Sequence, residues 1–278
     1  MSRFNTSDST LLIFLHIPKT AGRTLESVLD RNFSQSSQFD LNSWTSVWDR
    51  ADELKSLPDS DKKAIRLIRG HYPFGIHSYL PGEVKYFSFL RSPVERVASL
   101  YEYIKRNQDH HLYYLVSEKG FTIKDFLQSD ISDEFRNSQV RMISGHSNRN
   151  QNIRSSKTDL LNQALDNIEK YFIFTGTVET FDISLLILAQ KINLHYVFYE
   201  TKNAAPRKIT LSDETIEEIK SYNELDLKLW STISDRILEE YQSIEPLLLK
   251  KLSRLKFYNS VYSNLKQMGR KIKYLVHS

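Results

Sequence analysis

The 278-residue chain contains no cysteine, which rules out disulfides, thiolate metal sites and a cysteine nucleophile together. A reducing compartment agrees with that absence, and a cytoplasmic location is expected. Long apolar runs are missing as well. The longest early one, Leu11 to Leu15, is far shorter than the ~20 residues of a membrane helix and lacks the shape of a signal peptide, so no transmembrane segment is expected. Acidic residues are missing from one region: residues 246–278 hold eight Lys/Arg and no Asp or Glu, so with +4 overall, residues 1–249 carry −4. Basic character therefore belongs to the tail, and nucleic acid is a poor partner for the body.

What is present suffices for one large domain, with 40% hydrophobic residues. Strand-like runs at 10–16, 64–70, 83–91 and 171–176 alternate with helical spacing after the first, third and fourth of them. Leu25, Val28, Leu29 and Phe33 mark the first helix. The second should begin at an N-cap Ser92, with Pro93 at its first position and Glu95 completing a capping box, and bury Val94, Val97, Tyr101 and Ile104. A third covers 179–192. Strands alternating with helices predict an α/β fold, a P-loop-like, doubly wound parallel sheet flanked by helices. Helices at 212–243 and 245–275 make the C-terminal third mainly helical. Polar, aperiodic stretches at 34–43 and 146–159 read as mobile loops. The expected division is a domain over 1–245 and a basic amphipathic helix over 246–278, packed on the domain or on a partner. A homo-oligomer is left open, as is attraction of this tail to an anionic glycan or membrane surface.

The stretch "LHIPKTAGRTL" (15–25) joins the first strand to the first helix. Such a turn leaves the helix's first N–H groups unpaired beside a positive dipole end, which suits an anion. Gly22 lets the backbone approach it closely, Lys19 adds charge, and Thr20 and Thr24 add hydroxyls. No glycine precedes Gly22 and Lys19 comes before it, so this is not a Walker A loop. Taken alone, the stretch reads equally well as an ordinary turn with a solvated lysine. The third strand then ends in Arg91, where a magnesium-dependent P-loop enzyme commonly has Asp, and Ser99 follows on the next helix. A guanidinium and a hydroxyl so spaced suit one phosphate.

Taken together, these residues resemble the sulfotransferases, in particular the branch that includes heparan sulfate 2-O-sulfotransferase and its bacterial relatives. "HIPKTAGRTL" is similar to that family's 5′-phosphosulfate loop, "FLRSPVERVASLYEY" (89–103) to its 3′-phosphate motif, and "RGHYPFG" (69–75) to the segment supplying its catalytic base. "NSQVRMISG" (137–145), "FTGTVETFD" (174–182) and "NELDLKLW" (223–230) also resemble the bacterial branch.

The resemblance implies 3′-phosphoadenosine-5′-phosphosulfate (PAPS) as donor, 3′-phosphoadenosine-5′-phosphate (PAP) as product, no metal, and a hydroxyl acceptor, most naturally a carbohydrate. It makes His71 the general base, with His16 as runner-up, and Lys19 the group that stabilises the leaving oxygen. Lys19, Thr20, Ala21, Gly22, Arg23 and Thr24 would surround the 5′-phosphosulfate, and Arg91 and Ser99 would bind the 3′-phosphate. Arg136, Asn137, Gln139 and Arg141 would line an acceptor cleft, although a polar helix face explains them nearly as well. Arg23 stands where the family often has a small residue, and the sequence beyond about 245 aligns with nothing. The competing functions are a P-loop-type small-molecule kinase using ATP and a non-catalytic nucleotide- or polyanion-binding protein.

Overall fold

The computed structural model describes residues 10–42, 46–146, 157–200 and 209–276. Five strands, β1 (Leu11–Leu15), β2 (Gln38–Asp40), β3 (Leu67–Gly70), β4 (Val84–Leu90) and β5 (Phe172–Thr177), form one sheet in the order β2-β3-β1-β4-β5. Every pairing is parallel, with Leu12 opposite Leu67 and Leu11 opposite Val84 on the two sides of β1. A central parallel strand is covered on both faces and so reads as an unbroken apolar run rather than an alternating one; all five residues of β1 are buried.

The helices are α1 (Gly22–Asn32), α2 (Val47–Ser56), α3 (Asp59–Ala64), α4 (Pro93–Arg106), α5 (Tyr113–Ser117), α6 (Ile123–Gln128), α7 (Ser138–Ser144), α8 (Lys157–Tyr171), α9 (Phe181–Lys191), α10 (Asp213–Tyr222) and α11 (Glu224–Val276). Leu25, Val28 and Leu29 of α1 enter the main core with Phe14, Phe87 and Phe89 of the sheet. A second core gathers Val97, Leu100 and Ile104 of α4 with Leu112, Phe126, Phe135 and Ile219. It ties α4, which leaves the end of β4, to α5, α6 and α10. Val94 and Tyr101 lie only at the edge of this core, while Arg96 and Leu100 take the buried positions.

Other expectations change as well. The stretch 34–43 is not a plain loop: a 3-10 turn at Gln35–Ser37 leads into β2, which pairs with β3 and buries Phe39. A three-residue edge strand is too short to show a period. The second strand starts at Leu67, because Ala64 still belongs to α3. The capping box at Ser92 does not form. Ser92 is the N-cap without a side-chain bond, its N–H donates to Glu179 Oε1 at 2.8 Å, and Glu95 instead takes Arg91 Nη2 at 3.2 Å. In the C-terminal third the helices divide at Asn223 rather than near 244. From Glu224 one helix of 53 residues continues to Val276, roughly 80 Å at 1.5 Å per residue. Leu248 and Leu255 of this helix are buried in the main core. Of the stretch 146–159, residues 147–156 lie outside the described residues, and Lys157 opens α8.

Candidate active site

Three adjacent strands deliver the site. β3, β1 and β4 end side by side, and past their carboxyl ends come His71, the loop from His16 to Ala21, and Arg91. β1 is where the strand order turns from one side of the sheet to the other, the usual position for a ligand crevice in an open α/β sheet.

The loop after β1 is held in an uncommon shape. Lys19 (φ 73°) and Ala21 (φ 63°) are both left-handed, a conformation that costs an L-residue ~1–2 kcal/mol and that turns successive N–H groups inward into an anion-binding hollow. Thr20 is buried, and its hydroxyl donates to Ile17 O at 2.8 Å, closing the turn from inside. Thr24 is buried one turn later. Gly22 opens α1, and a Cβ there would lie 1.6 Å from His16 Nε2. The bare backbone at Gly22 is therefore required by the His16 ring, a reason not visible in the loop sequence.

His16 is buried, with Nδ1 3.1 Å from Glu26 Oε1 and its ring 4.2 Å from that of His71. Burial opposes ionisation of Glu26, but the hydrogen bond and charge of His16 outweigh it and hold the carboxyl below its ordinary value. His71 Nδ1 lies 2.7 Å from the backbone oxygen of His16. A carbonyl only accepts, so Nδ1 carries the proton and Nε2 of the neutral ring keeps its lone pair. The His71 N–H donates to Asn42 Oδ1 at 3.1 Å. Crowding by protein, and next the neighbouring His16, push the His71 pKa well below the usual histidine value, although part of the residue is open to solvent. The ring is neutral at pH 7 and keeps a free Nε2.

Positive charge converges opposite. Burial, then Arg106, Arg91 and Arg23, lower the Lys19 pKa to about 8. Its Nζ rests 4.1 Å above the Tyr103 ring. Arg91 donates from Nη1 to Lys19 O and from Nη2 to Glu95, each at 3.2 Å. Glu95, half-buried Ser99 and Tyr103 follow one another at four-residue steps on α4, which places them on one helix face. Lys19 thus reaches to the face of α4 that carries Ser99.

Behind Arg91 stands a brace of polar residues. Buried Gln139 accepts the Arg91 N–H at 2.9 Å and donates to its carbonyl at 2.8 Å. Glu179 takes the Ser92 N–H with one oxygen and Trp230 Nε1 with the other, at 3.0 Å. Asp226 accepts the Gln139 and Val140 N–H groups at 3.1 and 2.8 Å and faces Arg96, whose charge opposes the rise in the Asp226 pKa caused by burial. Asn137 Oδ1 receives the N–H groups of Leu225 and Asp226 at 3.0 and 3.1 Å, its Nδ2 donates to Tyr222 O, and its own N–H donates to Asn223. Arg136 pairs with Asp130 and Asp133, and Arg141 with Asp133. Of the four residues expected in an acceptor cleft, Asn137 and Gln139 are occupied inside the protein, and the two arginines share an aspartate. The braces Gln139, Glu179, Asp226 and Trp230 fall in the three late motifs, but no local periodicity assigns a polar side chain to a backbone group some 40 to 90 residues away.

One group among the described residues has metal-ligand chemistry: His110, His111 and Glu134 bring ligand atoms within 4.8 Å of one another. His110 Nδ1 already accepts the Leu112 N–H at 3.2 Å, and His111 Nε2 lies 3.5 Å from Glu134, so imidazole–carboxylate pairing accounts for the cluster.

The sequence model of the sulfotransferase family matches residues 2–231. The chain belongs to the sulfotransferase family. Among solved structures it is similar to mouse sulfotransferase SULT7A1, crystallised with PAP, at 14% identity and a TM-score of 0.36 over 78% of this chain. The match spans 64% of that protein's length. No curated protein matches the chain.

Proposed function

We propose that this sulfotransferase moves a sulfuryl group from PAPS to a hydroxyl of an acceptor, most naturally a carbohydrate, without a metal. The observation that carries the reading is the convergence of Lys19, Arg23, Arg91 and Arg106 on a left-handed loop, where burial first and then the three guanidinium charges lower the Lys19 pKa to about 8, across from a neutral His71. An anionic nucleotide relieves that repulsion. The 5′-phosphosulfate sits against the N–H groups of residues 19–23, the Thr24 N–H already donating to Ala21 O at 3.0 Å, and the 3′-phosphate sits between Arg91 and Ser99.

His71 Nε2 takes the acceptor's O–H proton as the oxygen bonds to sulfur and the bond from sulfur to the phosphate oxygen breaks. The Nδ1–H bond to the His16 carbonyl aims Nε2 and stabilises the imidazolium that forms. Lys19 and the loop N–H groups receive the charge that builds on the departing phosphate oxygen. Gln139 and Glu179 act as positioning residues, fixing the backbone at Arg91 and Ser92.

The test is transfer of label from ³⁵S-PAPS to a panel of glycans and to phenolic and peptide hydroxyls, with His71→Ala as control. Labelled glycan with the native chain alone supports the reading. Label on phenol or peptide only removes the carbohydrate assignment, and label transferred equally by His71→Ala removes the base.

A further inference from the structure

The long C-terminal helix turns one face to the core and leaves the opposite face without a partner among the described residues. Leu248 and Leu255 are buried, Asn259 Oδ1 accepts the Tyr199 N–H at 2.7 Å, and Tyr262 stacks on Phe198 with centroids 4.9 Å apart. These residues fall on one side at 100° per residue. Half a turn away lie Lys250, Arg254, Phe257 and Val261, with Phe257 64% and Val261 40% exposed. In the sequence Leu265, Met268, Ile272 and Leu275 follow Val261 at steps of four and three, and Lys266, Arg270, Lys271 and Lys273 lie among them. The backbone is helical through all of these positions.

Charge selects the occupant. A second copy packed stripe to stripe would bring together two segments of eight Lys/Arg each without a single Asp or Glu to pair them, and such seams depend on flanking charges of opposite sign. Exposed Phe257 and Val261, on a segment whose only charges are lysine and arginine, fit a helix lying in the plane of an anionic lipid surface. We propose that the distal part of α11, from about Lys250, docks on anionic membrane with Phe257 and Val261 inserted at the headgroup level. The inference stands on this helix alone and does not depend on the sulfuryl-transfer reading.

The experiment is co-sedimentation of the full chain with phosphatidylcholine vesicles, with and without about one-third phosphatidylserine, at ~0.1 and ~0.5 M salt. The expected result is binding to the anionic vesicles alone, weakened at high salt, and reduced at least about tenfold in Phe257→Glu/Val261→Glu. Both positions are exposed, so this variant should melt with the parent. Equal binding to neutral vesicles, no binding, or an unchanged variant overturns the proposal. So does a dimer in light scattering that the same variant dissociates, which would give the stripe to a second copy, or retention on heparin without vesicle binding.

Discussion

His71 Nδ1 lies 2.7 Å from the backbone oxygen of His16, so the strand that leads into the left-handed loop also sets the tautomer of the proposed base. One hydrogen bond links the end of β3 to the end of β1 and leaves Nε2 as the basic atom.

Removing the base should stop the reaction without disturbing the fold. His71 is solvent-accessible, and His71→Ala is expected to lower turnover by roughly 10²–10⁴-fold with thermal stability nearly unchanged. Turnover of the purified variant is the check; a rate within a few-fold of the parent would take His71 out of the mechanism.

The pH profile has a definite shape. His71 is basic only when unprotonated, and its pKa is held below the ordinary 6.5, so kcat/KM should stay level as pH falls through the range where a normal histidine titrates. Lys19 acts only when protonated, and its pKa is lowered to about 8, so kcat/KM should fall as pH rises through that value, since this parameter reports the free enzyme. Lys19→Arg should move the alkaline limb upward. An acid limb near 6.5 in the parent would contradict the crowding described at His71.

Gly22→Ala tests the contact beneath the loop. The new Cβ would meet His16 Nε2 at 1.6 Å, forcing the His16 ring away from Glu26 and from His71. The expected cost is ~1–3 kcal/mol of stability, as for overpacking in general, with most activity lost. Adding His16→Ala should restore stability; a single variant that melts like the parent would show that the loop does not depend on this contact.

Gln139→Leu removes both bonds to the Arg91 backbone. Two half-buried backbone groups left unpaired should cost at most ~1–3 kcal/mol each. Because the arginine's position is disturbed and the base is not, donor KM should rise more than kcat falls. An equal loss in kcat and kcat/KM would place Gln139 elsewhere in the account.

The contrast between Arg91 and Gln139 also marks how far the sequence could be read. The strands showed because burial on both faces writes an apolar run, as in β1, and α4 showed because Ser92 and Pro93 mark its start. The loop and Arg91 could be singled out as candidates, since charged residues and a glycine follow the strand ends, but the left-handed turns at Lys19 and Ala21 fall on residue types that give no sign of them. β2 was hidden because three residues at an edge carry no period, and the division of the last helices was misplaced because it lies at Asn223, whose side chain is drawn to Phe135 and Ile219 carbonyls rather than to a local stop signal. Glu95 was read as a capping residue because its spacing from Ser92 fits one, yet Arg91 offers it a full charge and Glu179 arrives from 87 residues away to take the backbone bond. Partners brought in by the fold do not appear in local patterns.

The most direct test of the central claim, that this cation cluster holds a 3′-phosphorylated adenine nucleotide, is thermal unfolding with PAP, compared with ADP and with ATP plus magnesium. At about 100 Kd, PAP should add ~2.7 kcal/mol, a rise of roughly 5–11 °C at ~2–4 °C per kcal/mol, and Arg91→Ala should abolish it. Stabilisation by ATP with magnesium and none by PAP would contradict the account and leave a kinase in its place.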